Sequence, residues 1–533
     1  MFCFFRQFRL MRIIALFAGK AGGFPRALLR RTLQIAAVFF LRHPMHFREK
    51  KIFLLQNDGI SFTMDGKDYY YEERYRIDME TNSPALQENK MGVMPIGKLL
   101  FNMALPMIIS MIVQALYNVV DSIYVSQVSE SAVTALSLAF PVQNMQIGFG
   151  LGIAVGVNSL LSKSLGEKNQ EAANYAAGNG IFLVFIATAL FMLFGLFGAR
   201  PYFEMQSDVT ETVEGGIAYT SICCLLTLGC FTQMLGERLL QSSGRTVYTM
   251  ISQSTGAIIN IVLDPIFIHG RFGAPAMGIA GAAVATVIGQ WVAAIMVFYF
   301  NIRFNPEVQL GLKYIRPRMH TLGPIAAVGI PTLVMNSIGS VMNFGMNQIF
   351  QGFQETATGV FGIYYKLQSF FFMPLFGTNN ATISIIAYNY GARKPERMTK
   401  TMKIALVFGF CFMVFGLAVF QLVPEALLRM FNPSPEFMDM GVKALRIISI
   451  HFPIAAVGIM LGASFQALGN GVYSTIVSLC RQLLVLLPVA YLLSLTGDVN
   501  AVWWSFPIAE VVSAIVTLTL YRRLYLKKIK PLF

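Results

Sequence analysis

Four acidic residues stand inside the long apolar runs of this 533-residue chain: Asp121, Glu237, Asp264 and Glu510. An acidic side chain at the centre of a membrane-length apolar run costs on the order of 2.5–3.5 kcal/mol to insert, so it is usually kept for a task. Asn260 precedes Asp264 by one helical turn and shares its helix face. Pro265 removes a backbone hydrogen bond beside the acid, which frees the Ile261 carbonyl as a further oxygen ligand. Two carboxylates with amide and carbonyl oxygens make a site for a hard cation such as Na+, with Asp121, Asn260 and Asp264 as ligands; in a dry pocket the same pair would hold a proton. The competing use of Asp121 is mechanical, a hydrogen bond to Asn118 or to a backbone N–H that ties two helices together.

The elements that must position these groups are long. Residues 97–126 are apolar over more than the roughly 20 residues that a membrane-spanning helix needs. They hold Pro106 a third of the way in and Asp121 near the far end. Across the chain 55% of residues are hydrophobic and 13% charged, with a mean hydropathy of +0.59. Soluble domains carry about 25% charged residues, so no soluble class fits and a multi-pass protein of the lipid bilayer is expected. The six cysteines show no C-x-x-C spacing, and all but Cys3 lie in apolar runs, as small core residues do. A net charge of +14 is of the size that nucleic-acid-binding proteins carry. The cations instead sit in short loops between apolar runs, as in membrane proteins, and no nucleic acid is expected.

Twelve apolar runs follow Gly97, with approximate limits 98–126, 132–162, 173–197, 216–238, 245–269, 277–302, 321–350, 357–389, 401–423, 441–467, 471–494 and 499–525. Lys163, Lys168, Arg245, Arg303, Lys313, Arg316 and Arg318 fall in alternate loops, as do Arg393, Lys394, Arg397, Lys400 and Lys403. The tail adds Arg522, Arg523, Lys527, Lys528 and Lys530. Both termini are therefore expected in the cytoplasm, which requires an even number of spans. Asp121 lies 24 residues beyond Gly97 and Asp264 lies 19 beyond Arg245. That is a rise of about 36 and 28 Å, which puts both acids in the outer half of one bundle.

Residues 1–90 differ. Up to Asp78 they hold 14 Lys/Arg against 7 Asp/Glu, and no apolar run long enough to span. Two readings stand: a basic arm on the anionic inner leaflet, or an upstream extension of the reading frame, disordered, with translation starting at Met79 or Met91. The second is preferred.

A repeat organises the remainder. Pro106 matches Pro331, a shift of 225 residues. The same shift pairs Asn118 with Asn343, Gln143 with Gln368, Gly152 with Gly377, Gly166 with Gly391, and Gln241 with Gln466. One register held this far is not chance. Six spans per repeat put both halves into the membrane in the same sense, related by a pseudo-twofold axis along its normal. The expected fold is an all-α membrane protein of twelve transmembrane helices in two six-helix bundles: an N-lobe (91–305), a linker (306–320) and a C-lobe (321–533). Such a pair leaves a central cleft and can rock about it.

The run KMGVMPIGKLLFNMALPMIISMIVQALYNVVDSIYVS (90–126) resembles the opening of multidrug and toxic compound extrusion (MATE) transporters. So do AVTALSLAFPVQ (132–143), GVNSLLSKSLGEKN (156–169), NIVLDPIFI (260–268) and GIAGAAVATVIGQ (278–290). The resemblance covers roughly residues 93–525 and implies an antiporter, not an enzyme, in a bacterial inner membrane. It implies export of bulky, often cationic drug-like molecules driven by inward H+ or Na+, with no cofactor and as a monomer. It also marks Asp121 and the Asn260-x-x-x-Asp264 motif as the N-lobe cation site and adds Thr286 from the sixth span. Ion uptake is expected to bend the first span near Pro106, whose repeat partner is Pro331. The second, seventh and eighth spans of that family line the cleft. Gln143, Gln368, Met145, Phe344 and Tyr364 are the expected cleft residues, soft and aromatic groups that suit variable cationic ligands.

The second half departs from the first. Met346 stands where Asp121 would repeat, and Val489 where Asp264 would, so coupling is expected in the N-lobe alone. Lys366 and Arg481 put positive charge into C-lobe spans, and Arg481 is expected to pair with Glu510. Glu237 and Arg238, near a helix end, are expected to be solvated. Gly148-x-Gly150-x-Gly152 sits mid-span with no preceding strand, and close helix contact accounts for it better than a nucleotide loop. There is no Walker A loop and no H-E-x-x-H motif. A flippase for a lipid-linked substrate is the alternative function, though it calls for a more cationic cleft than Lys366 and Arg481 supply.

Overall fold

The computed structural model describes residues 61–64, 67–70, 89–431 and 434–533. The chain divides into two compact units, Met1–Ala85 and Leu86–Phe533. In the first, strand β1 (Ser61–Met64) pairs antiparallel with β2 (Lys67–Tyr70), with Ser61 opposite Tyr70 and Met64 opposite Lys67. The Asp65–Gly66 pair between the strands is a strong hairpin signal. The apolar runs around residues 13–18 and 33–41, and the proposed start at Met79, lie outside the described residues; Met91, the other proposed start, lies within them and is buried.

The second unit is built of helices joined by loops, with no strand among its described residues. It contains α1 (Ile96–Ser126), α2 (Glu130–Gly166), α3 (Gln170–Glu204), α4 (Thr210–Leu225 with Leu228–Ser242), α5 (Thr246–His269) and α6 (Ile279–Phe304). There follow α7 (Met319–Gln351), α8 (Glu355–Gly391), α9 (Pro395–Leu422), α10 (Pro435–Ser449 with Phe452–Ala467), α11 (Gly471–Ser494) and α12 (Val499–Leu532). Ten are single helices long and apolar enough to span, and counting each bent pair once gives twelve. The bends in α4 (47°) and α10 (46°) fall at equivalent places in the two repeats. Orphaned carbonyls at the bends find side-chain partners, as buried backbone must. Trp291 donates to Leu226 at 3.2 Å, and Nδ1 of His451 lies 2.6 Å from the Ile448 carbonyl.

The repeat is legible atom by atom. Gly166 of α2 packs against the Tyr388 carbonyl of α8, and Gly391 of α8 packs against the Lys163 carbonyl of α2. Residues 163 and 388, like 166 and 391, are 225 apart. The two lobes thus exchange the same contact across the pseudo-axis. Lys168 and Arg393, one shift apart, both adopt left-handed backbone just beyond it, at φ 56° and 52°. Further along, Gly152 and Gly329 meet so closely that a Cβ on either would sit 2.7 Å from the other's carbonyl oxygen. Close contact is what the Gly-x-Gly-x-Gly run supplies.

Both α1 and α7 run without a break through Pro106 and Pro331. A proline frees the carbonyl four residues before it, and the two halves use that carbonyl differently. Asn102 accepts a hydrogen bond from Thr246 Oγ1 at 3.4 Å. At the equivalent pair, Gly471 lies against the Ala327 carbonyl, which a Cβ would approach to 2.8 Å.

A short helix, Lys90–Val93, precedes α1 and straps the two lobes together. Arg397, at the start of α9, donates to the carbonyls of Met91 (2.9 Å) and Met94 (2.7 Å) and to Asn389 Oδ1 (3.0 Å). Lys394 donates to Gly92 at 3.1 Å. At the same end Asn89 donates to Glu307, whose burial pushes its carboxyl above the ordinary range against the pull of that bond, Arg245 and Lys90. Arg397→Ala should cost about 2 kcal/mol, since bonds to a charged donor are worth about 1.5–3 kcal/mol each and this one is partly solvated. The expected readout is a lower midpoint of heat-induced aggregation in detergent. Lys at this position should not restore it, because an ammonium lacks the fork that spans three acceptors.

Candidate functional site

The first sequence-marked group gathers where α5 packs against α1 and α6. Gly256 of α5 and Gly289 of α6 let these helices touch through backbone, with a Cβ on Gly289 only 2.6 Å from the Gly256 carbonyl oxygen. One and two turns further along α5, Asn260 (3% exposed) and Asp264 (0%) are buried. Asn260 Nδ2 donates to Asp264 Oδ1 and to Thr286 Oγ1, each at 3.2 Å. Thr286 on α6 is thereby tied into the group. Asp121 reaches toward it from α1, within electrostatic range of Asp264.

The unmet atoms define the chemistry. Asp121 Oδ1, Asp264 Oδ2 and Asn260 Oδ1 are all buried without a hydrogen-bond donor. A buried carboxylate oxygen with no donor is costly unless a cation or a proton satisfies it. Three such acceptors on two adjoining helices fit an inbound cation. They do not form a cluster of three or more Asp, Glu, His or Cys side chains, and no such cluster occurs among the described residues. Tyr117, Tyr219 and Cys223 also stand within electrostatic reach of Asp121. Composition gave no reason to single these three out, because buried tyrosine and cysteine are ordinary core residues.

The proposed cleft residues disperse. Met145 and Phe344 are exposed, at 56% and 67%. Gln143 turns into the N-lobe, where its Nε2 donates to the Tyr219 hydroxyl at 2.6 Å. Gln368 lines a cavity inside the C-lobe. Tyr364 is a correction: it is 0% exposed and packs edge-on against Tyr365 and Phe506, so it belongs to the C-lobe core and not to the cleft wall. Arg238 is a second correction. It is 6% exposed and donates to Gln241 Oε1 at 2.9 Å, while Gln233 donates to Glu237 at 3.0 Å. Nearness to a helix end in sequence did not mean nearness to water: the guanidinium is held inside by its bond to Gln241. The expected Arg481–Glu510 pairing is present, at 3.7 Å. Lys366 is exposed.

Twelve apolar spans, each bent pair counted once, in two repeated halves with buried acceptors in one of them, describe a two-lobed membrane carrier. The chain belongs to the MatE family of transporters, whose family model matches it twice, over residues 106–266 and 331–492. It is 24% identical over 434 residues to a protein of Shewanella oneidensis named FAD transporter, covering 81% of this chain and 95% of that one. It is also 24% identical over 433 residues to the multidrug export protein MepA of Staphylococcus haemolyticus, covering 79% and 92%. Among solved structures, a MATE crystal structure in complex with MaL6 superposes with a TM-score of 0.78 at 25% identity, over 84% of this chain and 99% of that one. An outward-facing multidrug resistance MATE transporter gives the same score and identity, over 84% and 98%.

Proposed function

We propose that this protein is a cation-coupled efflux antiporter of a bacterial plasma membrane, with both termini cytoplasmic. It exports bulky organic, often cationic, compounds in exchange for inward H+ or Na+. The observation that carries the coupling is the trio of donorless buried oxygens on Asp121, Asn260 and Asp264. With the acids ionised, the N-lobe attracts and holds a cationic guest. An ion entering from outside neutralises the acids, removes that attraction and expels the guest. Each ion moving inward down about 100 mV contributes roughly 2.3 kcal/mol to export.

The lobe contacts support an outward-open state. The Gly166–Gly391 exchange lies at the end that bears Lys163, Lys168, Arg393 and Lys394, the end that charge places in the cytoplasm. Closure there leaves the opposite end for release, and rocking of one lobe against the other is the motion that reverses it. The substrate range takes its support from relatives named for multidrug export and for FAD, aromatic molecules being common ground.

Reconstituted vesicles test this. With a fluorescent organic cation loaded inside right-side-out protein, an inward gradient of pH or of Na+ should drive loss of fluorescence, and whichever gradient succeeds names the ion. Equal rates with either gradient and with none would reject coupling.

A further inference from the structure

The C-lobe holds a half-open cavity of about 270 Å³ that the coupling scheme does not use. Two irregular places in the fold and one regular helix converge on it. The first is the bend of α10, which presents His451. The second is a π-helical segment of α11, Cys480–Leu486, which presents Arg481 and Gln482. The third is Glu510 on α12. Wide π turns inside α-helices frequently mark functional sites.

The repeat shows that this is a local departure. On the 225-residue shift Arg481 corresponds to Gly256, His451 to Leu226 and Gln482 to Ala257. In the N-lobe Gly256 is a backbone-to-backbone contact with α6. In the C-lobe the same position carries an arginine that opens onto a cavity. Only the Gln143–Gln368 pair is shared.

The charges are placed unequally. Glu510 is nearly buried, at 6% side-chain exposure, while Arg481 keeps 29%. Their separation of 3.7 Å is an ion pair, and the guanidinium makes no hydrogen bond among the described residues. A guanidinium offers five N–H donors in a planar fork that suits a carboxylate in bidentate geometry. Tyr365, Phe372 and Phe506 line the same cavity and supply aromatic surface for a flat ring, and Gln368 lines it with an amide that can meet a polar edge. The volume lies just under the roughly 300–1,000 Å³ of drug-sized pockets, which suits one or two fused rings.

We propose that this cavity is a binding site for small aromatic carboxylates, with the acid on Arg481 and the ring among Tyr365, Phe372 and Phe506. Glu510 holds the guanidinium in place when the site is empty and competes with the ligand for it. The site is therefore opposite in sign to the acidic N-lobe pocket, and one protein carries two pockets of opposite preference.

Equilibrium binding of tritiated 1-naphthoate to the purified full-length protein in lipid nanodiscs, with no ion gradient, tests this. Its result stands apart from that of vesicle efflux. The wild type should bind saturably, and unlabelled naphthoate should compete while 1-naphthyltrimethylammonium should not. Arg481→Gln should weaken binding about tenfold or more. Glu510→Gln should strengthen it several-fold by releasing the guanidinium. Ser369→Trp fills the cavity while leaving both members of the ion pair unsubstituted, and should abolish binding even if Arg481→Gln is poorly folded. Equal competition by the cation, wild-type affinity in Ser369→Trp, or affinity within about twofold in a folded Arg481→Gln protein would overturn the proposal.

Discussion

Asp264→Asn is expected to reduce gradient-driven export to the level of protein-free vesicles while leaving folding and expression intact. The substitution keeps size and shape and removes only the capacity to be neutralised by an incoming ion. Asp264 is fully buried, and its Oδ1 already accepts from Asn260, so the loss falls on the unmet Oδ2 and on the charge it shares with Asp121. Uncoupling one ion forfeits about 2.3 kcal/mol per 100 mV, or about fifty-fold in the concentration ratio the pump can sustain. Asp121→Asn should behave likewise, and the double variant should be no worse than either single one, because a site that needs both acids fails at the first loss. Additive partial losses would instead describe two independent structural ties, the mechanical alternative for Asp121.

Why these acids could be read from sequence, and other groups could not, is a matter of cost. A carboxylate in an apolar span is expensive wherever it stands, so Asp121, Asp264 and Glu510 announced themselves, and each has a charged or polar counterpart in the fold. The 225-residue register was legible because positions such as Gly166 and Gly391 tolerate no side chain, and that restriction survives when surrounding residues drift. Aromatic residues carry no such restriction. A stripe that includes Phe344 and Tyr364 reads the same whether it faces a cleft, lipid or a core; here the first is exposed and the second is buried. The bends in α4 and α10 were hidden for a related reason. Apolar composition continues straight through them, and what they cost is met by Trp291 and His451, residues with no visible partner in the sequence. Arg238 was misjudged because distance along a bent helix does not measure depth.

Gly391→Val should lock the transporter out of the state described here. A Cβ at residue 391 would lie 2.1 Å from the Lys163 carbonyl oxygen, and one at residue 166 would lie 1.9 Å from that of Tyr388. Neither obstacle is a flexible side chain, so α2 and α8 must move apart. Overpacking of this kind costs about 1–3 kcal/mol or more. In the proposed rocking cycle this contact is made only while the lobes are closed at this end, so the cost falls on one of the two states between which the carrier would alternate. A differential of about 3 kcal/mol shifts their ratio by more than a hundredfold, enough to depopulate a state that transport must visit. Spin labels at positions 171 and 396, equivalent residues on the first turns of α3 and α9, should report a longer distance in Gly391→Val than in wild type, and export should fall at least tenfold. Gly166→Val, across the pseudo-axis, should give the same shift. Gly362→Ala supplies the contrast, because nothing lies within 4 Å of its Cβ position and both readouts should stay at wild-type values. Wild-type label distances in Gly391→Val would mean that the closed end is not a moving contact, and the rocking of the lobes would have to be abandoned with it.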